Sequence, residues 1–211
     1  PRDLLLTINH RLAEAMVAEG IDTSTKSNRW AITAALIRIR ENTFQWAQIS
    51  DACILVIYKD GTHRTLGDTI NFDLESLLLF QALSDQGIAM PLHEPDMQRQ
   101  FESVREESNV SYGFLNGEEA AEDWIREGEM ALEHVHAILL LTDGLTILSE
   151  HPGALNDYGQ ITRLYLQSQR GGLQRVHNHV RELECGDPDC RKYPRFKKHD
   201  DATGLALDLI S

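Results

Sequence analysis

The segment from Cys53 to Tyr58 constrains the fold more than any other stretch of this chain. Its residues are apolar almost without interruption, and a strand of that kind needs cover on both of its faces. The turn that follows, Lys59 to Thr62, contains Asp60-Gly61, which supplies the positive φ angles of a tight hairpin. The segment from His63 to Leu66 then returns as a second strand. The sequence therefore predicts an antiparallel sheet buried between other layers.

Helices and further strands surround this hairpin. Apolar residues at helical spacing predict an opening helix that ends at Gly20, a helix with Asp73 as its N-cap, and two late helices. The late helices run from near Asn156 to Gly171 and from Leu173 onwards. Further strands are predicted at 31–39, 43–49, 135–142 and 203–209, the last with Leu205, Leu207 and Leu209 on one face. We predict an α+β fold in a single domain, residues 1–211, with two packed antiparallel β-sheets flanked by helices on both outer faces.

The balance of charge narrows the classes of partner. The chain has 20 Lys and Arg against 33 Asp and Glu, a formal net charge of −13. A surface this negative repels phosphate backbones and anionic headgroups, so neither nucleic acid nor a membrane is expected as a partner. The longest apolar run is far shorter than the ~20 residues of a membrane span, and no leader opens the chain. Three cysteines are a sparse, odd set that is natural in a reducing compartment, which predicts a cytoplasmic protein.

An Asp-Gly pair and an Asp-Asp pair stand at strand ends. Asp143-Gly144 follows the apolar strand that ends at Thr142, and Asp200-Asp201 comes just before the last strand. Each pair alone is typical of a solvated turn. Adjacent carboxylates such as Asp200 and Asp201 repel each other, so they are stable in water or beside a cation. A carboxylate excess and oxygen ligands at two strand ends are what a site for hard divalent cations needs.

Taken together, these motifs resemble the type 2C protein phosphatases, in a bacterial-like form. That family has an apolar strand ending in Asp-Gly and an Asp-Asn-x-Thr or Asp-Asp-x-Thr box opening the last core strand. Here the matching residues are Leu140-Leu141-Thr142-Asp143-Gly144 and Asp200-Asp201-Ala202-Thr203. A weaker match aligns Ser50-Asp51-Ala52 with the Gly-Asp-Ser-Arg motif of the family.

The resemblance implies a chemistry and a set of residues. Asp143 and Asp200 are expected to bind the catalytic metal ions, and Asp51 is expected to lie near a more loosely held third ion. Oxygen ligands suit manganese or magnesium, in two or more ions, rather than zinc. The implied activity is metal-dependent hydrolysis of phosphoserine and phosphothreonine on a phosphorylated protein substrate, by a metal-activated water. No covalent intermediate and no further catalytic residue are needed.

The match to the family is incomplete at one motif. Its members begin with an Asp-Gly-x-Gly-Gly turn whose Asp bridges both metals, and this sequence has none ahead of its opening helix. The nearest string, Asp60-Gly61-Thr62-His63, lies between two strands and is interpreted as the hairpin turn. We therefore expect a phosphatase fold without its first strands. The alternatives are a catalytically inactive, phosphatase-like regulatory or binding domain, and a cation-binding domain of unrelated fold.

The last third of the sequence holds two further candidate features. Cys185 and Cys190, with three nearby histidines, have loose spacing for zinc and no second cysteine pair, so a packed loop is favoured over a zinc site. Five basic residues precede Asp200, and most such runs are simply solvated. Three of them, Arg195, Lys197 and Lys198, are candidates for docking a phosphorylated substrate.

Overall fold

The structure of the chain is a computed structural model that describes residues 1–68, 71–154, 156–167 and 172–209. The predicted stop of a helix at Gly171 lies outside the described residues. The helices are α1 (Arg2–Ala18), α2 (Leu74–Asp85), α3 (Pro95–Glu106), α4 (Tyr158–Leu166) and α5 (Gly172–Cys185). The strands are β1 (Ala34–Arg40), β2 (Thr43–Ile49), β3 (Cys53–Tyr58), β4 (His63–Leu66), β5 (Arg126–Ala131), β6 (Val135–Leu141) and β7 (Gly204–Asp208).

The strands form two sheets, and every pairing in them is antiparallel. The smaller sheet has the order β1-β2-β5, and the larger has the order β4-β3-β6-β7. The predicted hairpin joins β3 to β4, with Gly61 at a φ of +83° and the Tyr58 N–H bonded to the Thr62 carbonyl at 2.9 Å. The Asp60 carboxylate accepts the Thr62 N–H at 2.9 Å, which fixes the turn.

Apolar side chains from both sheets meet in one layer. Phe44 on β2 packs with Ile54 and Val56 on β3 and with Ile138 on β6, and all four are buried. The alternate residues of β3 point to the opposite face. Because β3 is covered on both sides, its sequence can be apolar throughout.

Helices cover the two outer faces. α1 places Leu5 against Ala47 and Ile49 of the smaller sheet. α4 and α5 place Ile161 and Val176 against the outward residues of β3 and β6 in the larger sheet. The expected α+β architecture, two packed antiparallel sheets flanked by helices, is therefore confirmed.

Two details differ from the expectations. β5 was not expected, because its sequence Arg-Glu-Gly-Glu-Met-Ala is polar, yet it pairs with β2 along its length. An edge strand with one face in solvent tolerates such residues.

On β7 the predicted apolar face is only partly buried, since Leu205 is 55% exposed. β7 is also an edge strand, and Leu205 is not part of the cluster between the sheets.

α2 and α3 form a separate helical pair outside the two sheets. Phe80 of α2 and Met97 of α3 are buried together with Cys190 from the loop after α5. Phe196 of that loop packs edge-on against Phe101 at 5.1 Å. The helix pair therefore supports the loop that leads to Asp200. Within the described residues, no helix has both the length and the apolar character needed to cross a membrane.

Candidate functional site

Three strand ends meet at one side of the larger sheet. The register pairs Cys53 of β3 with Leu141 of β6, and Leu141 in turn with Gly204 of β7. Asp51 precedes β3, Asp143 follows β6, and the Asp200 segment precedes β7, so all three come to the same end of neighbouring strands. A cavity of about 610 Å³ opens there, and all three aspartates line it.

Backbone contacts hold the Asp143 and Asp200 segments together. The Thr142 N–H donates to the Thr203 carbonyl at 3.0 Å, and the Thr203 N–H donates to the Thr142 hydroxyl at 3.0 Å. Gly144 lies against the Asp201 carbonyl so closely that a Cβ at position 144 would collide with it. Glycine is therefore required at 144 by close approach of the two backbones.

A buried glutamine fixes the turn that carries Asp51. The Gln48 side chain is fully buried, and its amide donates to the Ser50 carbonyl while its oxygen accepts the Asp68 N–H at 3.1 Å. Ser50 has a φ of +68° in this turn. Gly67 has a φ of +86°, and a Cβ there would collide with the Gln48 amide. The Asp51 turn is thus anchored to the end of β4.

Three further carboxylates line the same cavity, those of Asp68, Asp73 and Glu184, and the pKa of Asp73 is strongly raised. Sequence reasoning placed Asp73 at the N-cap of α2, and α2 does begin at Leu74, but the Asp73 side chain makes no capping hydrogen bond. An aspartate directly before a helix is the usual signature of a cap, so the sequence held no signal for a different role.

Burial and neighbouring carboxylates raise the pKa values of three aspartates in the cavity. Burial, then the charge of Asp143, raises the pKa of Asp51 to about 6. Burial, then the charges of Asp51, Asp143 and Asp200, raises the pKa of Asp73 to about 6. The Asp143 residue is exposed to solvent, yet many protein atoms lie around its carboxylate. Partial burial, then the charge of Asp200, raises the pKa of Asp143 as well. Negative charge is therefore concentrated in this cavity beyond what the local cations neutralise.

The basic residues predicted to dock a substrate have different surroundings. Arg195 is 11% exposed, and its guanidinium pairs with Asp187 at 2.8 Å and donates to several backbone carbonyls. Lys197 pairs with Asp200 Oδ1 at 2.6 Å. Both residues line the cavity, whereas Lys198 is exposed and is not among the residues that line it. The guanidinium of Arg195 is already bound to internal partners.

Asp200 and Asp201 also differ in position. Asp200 lines the cavity and accepts the Asp201 N–H at 2.8 Å on its own Oδ1. Asp201 is exposed and is not among the residues that line the cavity. The last two cysteines do not form a joint site either, since Cys185 is exposed and Cys190 is buried beneath α2 and α3.

The donor atoms of the cavity suit a hard divalent cation. Asp51, Asp143 and Asp200 offer carboxylate oxygens, and burial, then the charge of a neighbouring aspartate, raises the pKa values of Asp51 and Asp143. A bound cation would offset both effects, because it stabilises the ionised carboxylates. Within the described part of the chain, no three His, Cys, Asp or Glu side chains are gathered closely enough to form a ready metal cluster. The residue types therefore fit such an ion, and the side chains would have to close around it.

The fold is that of the type 2C serine/threonine phosphatases. Staphylococcus aureus serine/threonine phosphatase Stp1 superposes with a TM-score of 0.56 at 14% identity, over 100% of this chain and 66% of that one. PppA of Pseudomonas aeruginosa, described as a regulatory component of T6SS, gives 0.53 at 17% identity over 97% and 66%. Serine-threonine phosphatase 2C from Toxoplasma gondii gives 0.52 at 10% identity over 97% and 64%.

These likenesses are structural only. No protein-family model matches the sequence, and no match is found among curated proteins. The chain spans between 64% and 66% of the length of the three solved structures. At such low identity the comparison establishes the fold, and the activity of this chain has to be argued from its own residues.

Proposed function

We propose that this chain is a metal-dependent phosphoprotein phosphatase domain that hydrolyses phosphoserine and phosphothreonine on proteins. The observation that carries the proposal is the convergence of Asp51, Asp143 and Asp200, which the family motifs single out, on one cavity. Their segments are far apart in sequence and meet only through strand register. The phosphatase fold supports the same function.

Asp143, Asp200 and Asp51 are proposed to hold manganese or magnesium through their carboxylate oxygens. Two such ions, when bound, supply an activated water and neutralise charge on the phosphoryl oxygens. The chain's own residues supply the rest: the Thr142–Thr203 hydrogen bonds hold Asp143 beside Asp200, and the Gln48 amide holds the Asp51 turn. The cavity volume of about 610 Å³ is within the range of small-molecule sites and is ample for a phosphorylated side chain.

The partner is proposed to be a phosphorylated protein in the cytoplasm. The net charge of −13 disfavours binding of nucleic acid or anionic membranes through general electrostatics. Lys198 remains a predicted docking residue, because it is exposed beside the cavity segment. Arg195 and Lys197 are also proposed to face the substrate, but each is paired with a carboxylate in this structure.

A second candidate function is a phosphatase-like binding domain without turnover. It is favoured by the ion pair between Lys197 and Asp200, which occupies one proposed ligand, and by the lack of a ready metal cluster in the described residues. Such a domain would bind a phosphorylated partner or a cation and release no phosphate.

Phosphate release from a phosphoserine peptide distinguishes the two functions. We expect turnover with Mn²⁺, loss of turnover in excess EDTA, and a drop of about 100-fold or more in kcat/KM for Asp143→Asn. Asp123→Asn, at an exposed position, is the matched control and should retain activity. Mn²⁺ binding without phosphate release would establish the second function. Turnover that persists in EDTA would contradict the metal-dependent reaction.

A further inference from the structure

Lys197 pairs with the carboxylate of Asp200 at the cavity. Its ammonium lies 2.6 Å from Asp200 Oδ1, in a loop where Arg195 is held by Asp187. The same Oδ1 accepts the Asp201 N–H at 2.8 Å. One of the two carboxylate oxygens of Asp200 is therefore already bound by two donors.

The geometry leaves Lys197 free to move while Asp200 stays in place. The Lys197 side chain is 58% exposed, whereas that of Asp200 is 33% exposed. The Asp200 backbone is held by two residues of α5. Its carbonyl accepts a hydrogen bond from Arg181 at 2.5 Å, and its N–H donates to Glu184 at 3.4 Å. Withdrawal of the lysine into solvent would break only an exposed ion pair, which contributes little to stability.

We infer that Lys197 is an internal counterion of Asp200 that a divalent cation must displace, so that this lysine sets the metal affinity of the site. The inference deepens the proposed function and rests on it only in taking Asp200 as a metal ligand. The physical basis is repulsion between like charges. An ammonium at the carboxylate opposes a second cation at the same oxygen, and the opposition is moderated by the exposure of the lysine.

The test is calorimetric titration of the full chain with Mn²⁺. Lys197→Met removes the charge and keeps much of the side-chain length, and we expect the Kd for Mn²⁺ to fall by about tenfold. Lys197→Arg keeps the charge and should stay within about twofold of the wild type. Lys192→Met removes a charge from the same loop, where that lysine pairs with Glu150 instead, and should also stay within about twofold.

Each result decides the inference. The inference is supported if Lys197→Met is the only variant that binds Mn²⁺ more tightly than the wild type. It is also supported if Lys197→Met binds Mn²⁺ and the wild type binds none. A Kd for Lys197→Met within twofold of a measurable wild-type value overturns the role of Lys197 and leaves the metal site standing. If none of the four proteins binds Mn²⁺ while circular dichroism shows them folded, both this inference and the proposed metal-dependent function are overturned.

Discussion

Asp200 and Asp201 are adjacent in the chain, yet their surroundings differ. Asp200 lines the cavity and pairs with Lys197, whereas Asp201 is exposed and contributes mainly its carbonyl, which packs against Gly144. Successive side chains in extended backbone point in opposite directions, so two neighbours cannot enter one site equally. At the scale of single residues, the proposed site therefore depends on which of the two carboxylates faces inward.

Asparagine substitution of each aspartate tests this difference. Asp200→Asn removes a charged oxygen ligand without changing size, so we expect Mn²⁺ affinity to fall by about tenfold or more and turnover to be nearly lost. Asp201→Asn should keep most of both. Calorimetry and phosphate release measure the two effects. The reverse ranking would show that the motif is aligned one residue out of register, and equal losses would show that the pair acts jointly.

The loop between α5 and β7 is organised by one carboxylate, Asp187. Its oxygens accept the backbone N–H groups of Arg191, Lys192 and Tyr193 at 2.9–3.1 Å and the Arg195 guanidinium at 2.8 Å. Burial raises the pKa of Asp187, but these four donors outweigh burial and hold the pKa below its usual 3.8. At the scale of elements, this loop connects the helix to the segment that carries Lys197 and Asp200.

The lowered pKa of Asp187 predicts how stability depends on pH. Its stabilisation is fully present above the unfolded-state value of 3.8 and is lost as the pH falls through the lower folded-state pKa. We expect Asp187→Asn to lower the free energy of unfolding by about 1.5–3 kcal/mol at pH 7, with a difference from wild type that shrinks below about pH 4. Urea unfolding at several pH values measures it. Asp189 is exposed in the same loop, so Asp189→Asn is the control and should change the free energy of unfolding by less than about 0.5 kcal/mol. A loss of stability in Asp187→Asn that does not depend on pH would contradict this role of the Asp187 charge.

The two sheets share one buried layer, so we expect them to unfold as one unit. Phe44 is fully buried at this layer and joins β2 of the smaller sheet to β3 and β6 of the larger sheet. At the scale of the whole molecule, the layer supports the strands whose ends form the cavity. Its loss is expected to destabilise both sheets together.

Phe44→Ala should therefore destabilise the whole protein. We expect a loss of about 3–5 kcal/mol in the free energy of unfolding, because a large aromatic side chain is removed from a packed interior. Leu78→Ala on α2 is the control, since Leu78 is 49% exposed, and should cost less than about 1 kcal/mol. Unfolding followed by tryptophan fluorescence and by circular dichroism should coincide in one transition. Two separate transitions would show that the sheets unfold independently.

Local patterns in the sequence are enough to predict the elements that depend on neighbouring residues. The apolar run of β3, the Asp60-Gly61 turn and the helical periodicities were sufficient to predict two antiparallel sheets under helices, because these patterns depend on neighbours in the chain. The sequence also singled out Asp51, Asp143 and Asp200 through short motifs at strand ends. The polar sequence of β5 carried no such pattern, since an edge strand with one solvated face does not require one.

Tertiary packing determines which residues share the cavity. Strand order brings β3, β6 and β7 side by side, and register then places Asp51, Asp143 and Asp200 at one end of them. The same packing places Asp73, an expected helix cap, in the wall of the cavity. These relations join residues far apart in sequence. Burial and Coulomb interaction act through space, so no local pattern in the chain could specify them.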